Sequence, residues 1–223
     1  MGTARLTRPG RLGHDAPVSR IILLTGFEPF AGFAANPSQD VAKALDGRAV
    51  GPWLVRGAVL PVDHARAPAI VADLIEETEP LAVVHLGLAA GRARIALERV
   101  AVNVMDFDTP DNAGYSARGE PCVPGGPAAY FTTLPLAAIL ERLRGEGIPA
   151  YLSNTAGTYL CNQTMYTTLH RLATLGHRAR AGLVHLPLSA AMVAAAGLDQ
   201  PSMDMALMVR AVEVALEVVG REG

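Results

Sequence analysis

Cys161 is the residue whose surroundings point most directly to chemistry. A short apolar run before it, Ala150 to Leu152, predicts a strand, and Thr155-Ala156-Gly157 is typical of a tight turn. From Leu160 onward, apolar residues recur at the spacing of a helix. This pattern places the thiol of Cys161 in the first turn of a helix, directly after a bend that contains glycine.

A thiol at such a position has two interpretations. The unpaired N–H groups and the positive end of the helix dipole favour the thiolate, which is the nucleophilic form of cysteine. The same N–H groups could also hold a developing oxyanion. Free cysteines are, however, among the most buried residue types, so a structural role for Cys161 stays open.

Six histidines could supply the base that a thiol nucleophile needs. His185 lies near the carboxyl end of a strand predicted over Gly182 to Leu188, the edge at which α/β sheets bind ligands. His85 lies in the middle of a predicted strand, which favours a hydrogen-bonded core residue. We take His185 as the candidate base, although a structural role is equally open. Solvated or capping roles are expected for His64, His170 and His177, and His14 lies in the predicted N-terminal extension.

A third candidate is Glu98, in a long strand predicted over Arg92 to Met105. Successive side chains of a strand point to opposite faces, so Glu98 should share a face with the alternate valines between Val100 and Val104. A lone carboxylate on an apolar face is costly unless it is paired or protonated. An imidazolium would pair with it and orient the ring, and a local ion pair with Arg92 or Arg94 is an equal alternative.

The elements that must position these residues alternate between strands and helices. This order predicts a single-domain, three-layer α/β/α sandwich with a largely parallel, mixed and twisted sheet. The predicted strands are Ile21–Phe27, Trp53–Pro61, Leu81–Leu88, Arg92–Met105, Ala150–Leu152 and Gly182–Leu188. The predicted helices are Pro37–Leu45 with Asn36 as cap, Ala65–Glu77, Leu136–Leu143, one from Leu160, and Ser202–Val219, with a long loop over Pro110–Pro127.

The composition excludes several classes of protein. Of 223 residues, 50% are hydrophobic, which excludes a largely disordered chain. The net charge is −2, and the scattered basic residues do not predict a nucleic-acid partner. The chain has only two cysteines, Cys122 and Cys161, so we do not expect a disulfide framework. We expect a reducing, cytoplasmic location instead. Without CxxC, HExxH, P-loop or GxGxxG motifs, we predict neither a metal nor an organic cofactor.

The ends and the apolar runs of the chain bound its organisation. No apolar run approaches the roughly 18 residues that a membrane span needs, so we predict no membrane partner. The first nineteen residues lack the apolar centre of a secretory signal. We expect residues 1–19 to be a disordered extension and residues 20–223 to form one α/β domain.

Four blocks of sequence, with a weaker fifth, occur in an order that is specific to one family. In these blocks, which span about Ile21 to Leu188, the chain resembles pyroglutamyl peptidase type I (pyrrolidone-carboxylate peptidase), a family of cysteine peptidases. The blocks are Leu24–Phe30 with Asn36-Pro37-Ser38, Leu97–Asn103 running to Pro110-Asp111-Asn112, Gly126–Phe131, Ser153–Asn162, and the weaker Val184–Pro187.

The resemblance implies an activity and a set of catalytic residues. The family's Cys-His-Glu triad falls on Cys161, His185 and Glu98. It implies that the chain removes N-terminal pyroglutamate (5-oxoproline) from peptides through a thioacyl-enzyme, with no metal or organic cofactor. It also implies peptide substrates as partners and a homotetramer, in the cytoplasm.

The resemblance further implies a slot for the small, flat and uncharged lactam ring. Two aromatic residues of the family's slot fall on Phe27 and Phe30, and both could instead be core residues at the end of the first strand. Asn36 could contribute from the adjacent turn, but helix capping already explains it. Leu88 stands near the slot where the family commonly has glutamine, so a polar contact is missing there.

Other departures from the family bear on rate and substrate range. Asp108 stands where arginine is common, so a positive charge near the site is absent or comes from elsewhere. Ala31 replaces a common glycine, and Gln163 a common histidine. Two alternatives therefore stay open: the same triad acting on another blocked or small N-terminal acyl group, and a catalytically decayed, thiol-containing binding protein.

Overall fold

A computed structural model describes residues 20–221 of the chain, so the predicted extension at residues 1–19 lies outside the described residues. The strands are β1 Ile21–Phe27, β2 Ala49–Val50, β3 Trp53–Leu60, β4 Ala82–Leu88, β5 Ile95–Glu98, β6 Val100–Val102, β7 Met105–Phe107, β8 Ala117–Glu120, β9 Ala129–Phe131, β10 Ala150–Ser153, β11 Arg180–Leu186, β12 Leu188–Ser189 and β13 Ser202–Met203. The helices are α1 Pro37–Leu45, α2 Arg66–Thr78, α3 Leu136–Gly145, α4 Leu160–Leu175, α5 Ala190–Ala196 and α6 Met205–Arg221.

The centre of the fold is a seven-stranded sheet in the order β10-β5-β11-β4-β1-β3-β2. Strands β11, β4, β1 and β3 run parallel to one another. Strand β5 runs antiparallel to β11, and β10 follows the direction of β5. The edge strand β2 is antiparallel to β3. The predicted sheet, largely parallel but mixed, is confirmed.

Two apolar layers cover the two faces of this sheet. Alternate residues of each central strand belong to different core clusters: Leu183 of β11 packs in one, and Val184 in the other. Helices α2 and α4 cover the face that carries Leu183, whereas α1, α3 and α6 cover the opposite face. The predicted three-layer α/β/α class is therefore confirmed, and the strands read as continuous apolar runs because both faces are covered.

The long strand predicted over Arg92 to Met105 is wrong. The chain leaves the central sheet after Glu98, where the exposed Arg99 follows, and β6 pairs with β9 in a separate two-stranded ribbon. The alternation of side chains therefore does not run from Glu98 to the valines beyond it. Periodicity could not reveal this break, because both segments are extended and apolar.

The remaining differences concern short elements. The predicted loop over Pro110–Pro127 contains β8, which pairs with β7, and helix α5 and strands β12 and β13 were not predicted. The last helix begins at Met205 rather than Ser202, because Ser202 and Met203 pair with β12. Strands of two to four residues and a helix of seven carry too little periodicity to be recognised. Among the described residues, no helix combines the length and apolarity that crossing a bilayer requires.

His85 is the core histidine that its mid-strand position predicts. Its side chain is fully buried on β4, where Nδ1 lies 2.7 Å from the Thr25 hydroxyl and Nε2 lies 3.0 Å from the Thr168 hydroxyl. Burial lowers the pKa of His85 from 6.5 to about 3, because the apolar interior disfavours the charged ring. The ring is therefore a neutral link between the sheet and α4.

This buried neutral ring should make the fold sensitive to acid. Between pH 6.5 and about 3 the unfolded chain binds a proton at His85 that the folded chain does not, so the free energy of unfolding falls as the pH falls through that window. The contribution is of the order of several kcal/mol. Urea titrations at a series of pH values should show a shallower acid loss for His85→Gln than for the wild type. Equal slopes in the two proteins would contradict the assignment.

Candidate active site

The register of three neighbouring strands brings His185 and Glu98 to one face of the sheet. In the antiparallel pair, His185 lies opposite Ala96, and Leu183 lies opposite Glu98. Glu98 is thus the diagonal neighbour of His185, within reach of a long side chain. Because β5 runs against β11, Glu98 lies deeper in the sheet than His185, which is near the carboxyl end of its strand.

Cys161 approaches this face from the helix layer. It is the second residue of α4, whose amino end is formed by Tyr159 in extended conformation without a side-chain cap. The segment before it contains Gly157, which has a φ of +78°. The predicted helix is therefore confirmed, whereas the segment before it is irregular and not a hydrogen-bonded tight turn. The dipole of this 16-residue helix favours negative charge at the sulfur.

The three side chains form a chain of hydrogen bonds. Glu98 Oε1 lies 2.8 Å from His185 Nδ1, and the ring is also hydrogen-bonded to Cys161. Glu98 is fully buried and His185 is 4% exposed, whereas Cys161 is half-buried. The sequence left two partners for Glu98 open, an imidazole and a nearby arginine. Both are present: Arg92 donates from Nη1 to the same oxygen at 2.7 Å, whereas Arg94 lies over the ring of Tyr151.

These contacts set the protonation of His185. Burial lowers the pKa of His185, but the hydrogen bonds and negative charges of Cys161 and Glu98 outweigh it and raise the pKa from 6.5 to about 9. At neutral pH the ring is therefore an imidazolium, and it lies between the sulfur of Cys161 and the carboxyl group of Glu98. Such a pair can attack an electrophilic carbonyl and then supply a proton to a leaving group.

Space for the ring and the sulfur comes from the absence of a side chain at Gly87. This glycine of β4 lies beside His185 in the parallel register. A Cβ on Gly87 would lie 2.7 Å from Cys161 Sγ and 3.0 Å from His185 Nε2, closer than such atoms approach. On its other side His185 faces Ala96. The ring is thus flanked on the sheet by the two smallest residue types.

A cleft of about 460 Å³ opens onto the sulfur and the imidazole. Its walls include Phe30 and Leu88 from the predicted slot, together with Phe107 and Tyr159. The rings of Phe30 and Tyr159 stack at a centroid distance of 5.6 Å, and Phe107 contacts Tyr159 edge-on at 4.6 Å. This wall is apolar and flat, as a small uncharged ring requires.

Two residues of the predicted slot lie elsewhere. Phe27 is 3% exposed and packs in the core cluster beneath α2 and α4, which is the alternative that the sequence left open. Asn36 is 1% exposed and caps α1: its Oδ1 accepts from the Ser38 N–H and hydroxyl, and its Nδ2 donates to the carbonyl oxygen of Glu28 at 3.0 Å. Asn36 thereby fixes the loop that presents Phe30.

Two departures from the family pattern have structural consequences. Asp108 lies on the cleft wall and pairs with Arg118, so its charge is partly compensated, while Arg92 supplies a positive group to the same cleft. Ala31, also on the wall, has a φ of +51°, in the left-handed region where glycine is favoured. The common glycine at this position has its physical reason in that conformation.

Outside the cleft, Asp63, His64 and Asp111 place ligand atoms within 4.8 Å of one another, as a metal site would require. The Asp111 carboxylate, however, accepts from the N–H groups of His64, Ala113 and Tyr115 and contacts the His64 ring. Burial is the largest single effect on the pKa of Asp111 and raises it, but the four hydrogen bonds together outweigh burial and lower the pKa. The cluster braces a loop, and the residues present do not call for an ion.

Three contributors to the site were not identified as such from the sequence. Gly87 carries a visible signal, since a glycine inside an apolar strand often marks a close approach. Tyr159 directly precedes the helix of Cys161 within a recognised block. Phe107 carries no local signal, because only the β7–β8 ribbon brings it to the cleft.

The close approach at Gly87 gives a test of the geometry. Gly87→Ala should push the sulfur and the ring apart, so that the imidazolium no longer supports the nucleophilic reaction of Cys161. The rate of alkylation of Cys161 by iodoacetamide at pH 7 should fall roughly tenfold. Gly145→Ala is the matched control, because a Cβ there meets nothing within 4 Å. Wild-type alkylation in folded Gly87→Ala would show that the contact does not matter.

The comparisons with known proteins agree over nearly the whole of the described chain. A family model described as pyroglutamyl peptidase matches residues 20–222. Pyrrolidone-carboxylate peptidase of Pyrococcus furiosus is 45% identical over 204 residues, which cover 90% of this chain and 98% of that protein. The protein of the same name from Halalkalibacterium halodurans is 44% identical over 201 residues, covering 90% and 99%.

Solved structures give the same answer. A crystal structure described as a mutant pyrrolidone carboxyl peptidase from P. furiosus superposes with a TM-score of 0.88 at 43% identity, covering 91% of this chain and 99% of that one. The residues matched by the family model include the elements that carry Cys161, His185 and Glu98. The chain belongs to the pyroglutamyl peptidase family.

Proposed function

We propose that this chain is a cysteine peptidase that removes N-terminal pyroglutamate from peptides. The observation that carries the proposal is the hydrogen-bonded series from buried Glu98 through His185 to Cys161, which ends in a cleft with a flat apolar wall. Membership of the pyroglutamyl peptidase family supports the choice of substrate. We further propose that residues 20–223 form the catalytic domain and that peptides bearing the blocked residue are its partners.

In the first half of the reaction, the thiolate of Cys161 attacks the carbonyl carbon that joins pyroglutamate to the next residue. N–H groups at the amino end of α4 hold the negative charge that develops on the carbonyl oxygen. As the C–N bond breaks, the Nε2 proton of His185 passes to the leaving nitrogen. The shortened peptide departs, and pyroglutamate remains as a thioester on the sulfur.

In the second half, water cleaves the thioester. The now neutral His185 takes a proton from the water molecule as its oxygen attacks the acyl carbon. The C–S bond breaks, pyroglutamate leaves, and the thiolate–imidazolium pair is restored. Glu98 holds the ring through Nδ1 in both halves, so that Nε2 stays directed at the reacting atoms.

The apolar wall provides recognition of the lactam ring. Phe30 and Tyr159 present flat faces and Leu88 presents an aliphatic edge, which suits an uncharged ring and disfavours a charged N-terminal amine. A slot with Leu88 in place of a polar residue also suits other small N-terminal acyl groups. A panel of blocked aminocoumarin amides distinguishes these substrates.

A catalytically decayed binding protein is less well supported, because the charges that raise the pKa of His185 serve no binding role of their own. We also propose a cytoplasmic location, which the two free cysteines support. A homotetramer is proposed from the family resemblance, and light scattering of the purified protein measures it directly.

Replacement of the nucleophile tests the reaction. Cys161→Ser should reduce release of aminocoumarin from pyroglutamyl-aminocoumarin by a factor of at least about 10³, because His185 and Glu98 do not ionise a serine hydroxyl. Cys122→Ser is the matched control and should keep the wild-type rate. If Cys161→Ser retains activity, or if the wild type in reducing buffer leaves the substrate intact across a broad pH range, the proposed function fails.

A pair of phenylalanine substitutions tests the slot. Phe30→Leu should raise KM roughly threefold to tenfold with little change in melting temperature, because part of an aromatic contact with the lactam is lost. Phe27→Leu should lower the melting temperature and leave KM near the wild-type value, since Phe27 packs in the core. An equal increase in KM for both variants would place both rings against the substrate.

A further inference from the structure

Arg92 holds an unusual position beside the reacting groups. It follows β4 at the carboxyl edge of the sheet and lines the same cleft as Cys161 and His185. Its Nη1 donates to Glu98 Oε1 at 2.7 Å, and its Nη2 lies 3.4 Å from the carbonyl oxygen of Thr155, in the segment that leads to Cys161. Its side chain is 27% exposed, so this ion pair is mostly shielded from water.

Both cationic partners of Glu98 contact the same carboxylate oxygen. His185 Nδ1 and Arg92 Nη1 both contact Oε1, whereas Oε2 is buried and has no hydrogen-bond partner within residues 20–221. The two nitrogens therefore lie within roughly 6 Å of each other, a distance at which charges shift each other's protonation. The imidazolium and the guanidinium share one buried negative charge.

This sharing matters at one step of the proposed cycle. When the Sγ–C bond forms and the C–N bond breaks, the Nε2 proton leaves for the departing amine. Glu98 then loses its imidazolium partner, and a fully buried carboxylate without a cation costs several kcal/mol. A guanidinium remains charged at every relevant pH, so Arg92 keeps the carboxylate paired while the imidazole is neutral.

We propose that Arg92 is a positioning residue that sets the proton affinity of His185 by sharing the charge of Glu98. With Arg92 present, the ring binds its proton tightly enough to stay an imidazolium before substrate reacts. The same ring binds the proton weakly enough to release it to the leaving amine. Its part in turnover rests on the proposed function, whereas its effect on the titration of His185 does not.

The other ionisable groups around His185 lie on the elements that pack against it and on the walls of the cleft. Cys161 on α4 and Glu98 on β5 hold the proton on the ring. His85, two residues before Gly87 on β4, is neutral above about pH 3 and contributes no charge. On the far walls of the cleft are Tyr159 and the exposed Asp108, which pairs with Arg118. Arg92 is thus the cation that shares the Glu98 oxygen with the ring.

A simpler role would make Arg92 a tether that only anchors the Thr155 segment. The two roles differ in what they predict for His185. A tether affects the position of the helix and the rate, but leaves the proton affinity of the ring where it was. Charge sharing predicts that removing the guanidinium raises that affinity, the opposite direction from removing Glu98.

The decisive experiment follows the NMR titration of the His185 ring in full-length protein with ¹³C-labelled histidine, assigned with His185→Gln. The wild-type midpoint is expected near pH 9. Arg92→Gln should raise it by roughly one unit, and Glu98→Gln should lower it. Arg92→Lys should restore most of the wild-type value, because it keeps the charge. Arg94→Gln is the matched control and should leave the midpoint unchanged, since Arg94 contacts Tyr151.

Kinetics on the pyroglutamyl substrate add an independent measurement. In Arg92→Gln, kcat should fall roughly threefold to tenfold with KM little changed. The alkaline limb of the kcat–pH profile should move to higher pH together with the NMR midpoint. An unmoved midpoint in folded Arg92→Gln, with or without loss of rate, overturns the proposal, as does an Arg92→Lys variant that titrates like Arg92→Gln.

Two outcomes need separate arms. If Arg92→Gln does not fold, Arg92→Met, which keeps much of the side-chain volume without the charge, carries the same comparison. Loss of the guanidinium should again raise the midpoint, and an unchanged midpoint overturns the proposal. If the wild type shows no turnover, the proposed function fails, while the titrations, which need no substrate, still decide the role of Arg92.

Discussion

A carboxylate shut off from solvent is the constraint on which the rest of this site depends. Glu98 is fully buried between β10 and β11, where an ionised group is tolerated only with cationic partners. His185 and Arg92 meet that need, and each is thereby fixed in place. The imidazole is then held with Nε2 toward the sulfur. Because leaving Glu98 unpaired would cost free energy, the ring of His185 stays charged.

The sheet makes this pairing possible through its mixed direction. If β5 ran parallel to β11, its carboxyl end would emerge at the same rim as His185. Running antiparallel, it delivers Glu98 behind the histidine, away from water and substrate. Cys161, the proposed nucleophile, comes from the other layer, on a helix whose dipole favours negative charge at its amino end. Strand direction and helix polarity thus place the three ionisable side chains in order from the interior to the cleft.

Much of this arrangement could be predicted from the sequence, for reasons that differ by residue. His185 was identifiable because ligand sites form at strand ends, and Cys161 because a glycine-containing segment and a helical repeat surround it. Glu98 was singled out by an alternation that extended too far, since the strand ends at that residue. Its two partners could not be separated, because local sequence does not show that one oxygen accepts both.

The residues of the predicted slot show what sequence patterns could not distinguish. Phe27 and Phe30 lie three positions apart in one block, yet one packs under the helices and the other faces the cleft. That difference depends on the backbone rotation after the last residue of β1, which no periodicity records. The β7–β8 ribbon that supplies Phe107 is likewise a tertiary feature, formed between two segments too short to be recognised separately.

The end of β5 at Glu98 has a consequence for how the chain tolerates changes of length. Beyond Arg99 the backbone belongs to the β6–β9 ribbon and not to the central sheet, so an inserted or deleted residue there leaves the register of β5 unchanged. A single residue gained or lost within Ile95–Glu98 would instead rotate every side chain of the strand to the other face. The carboxylate would then point into the hydrocarbon layer beneath α3 and α6, and an aliphatic residue would confront the imidazole.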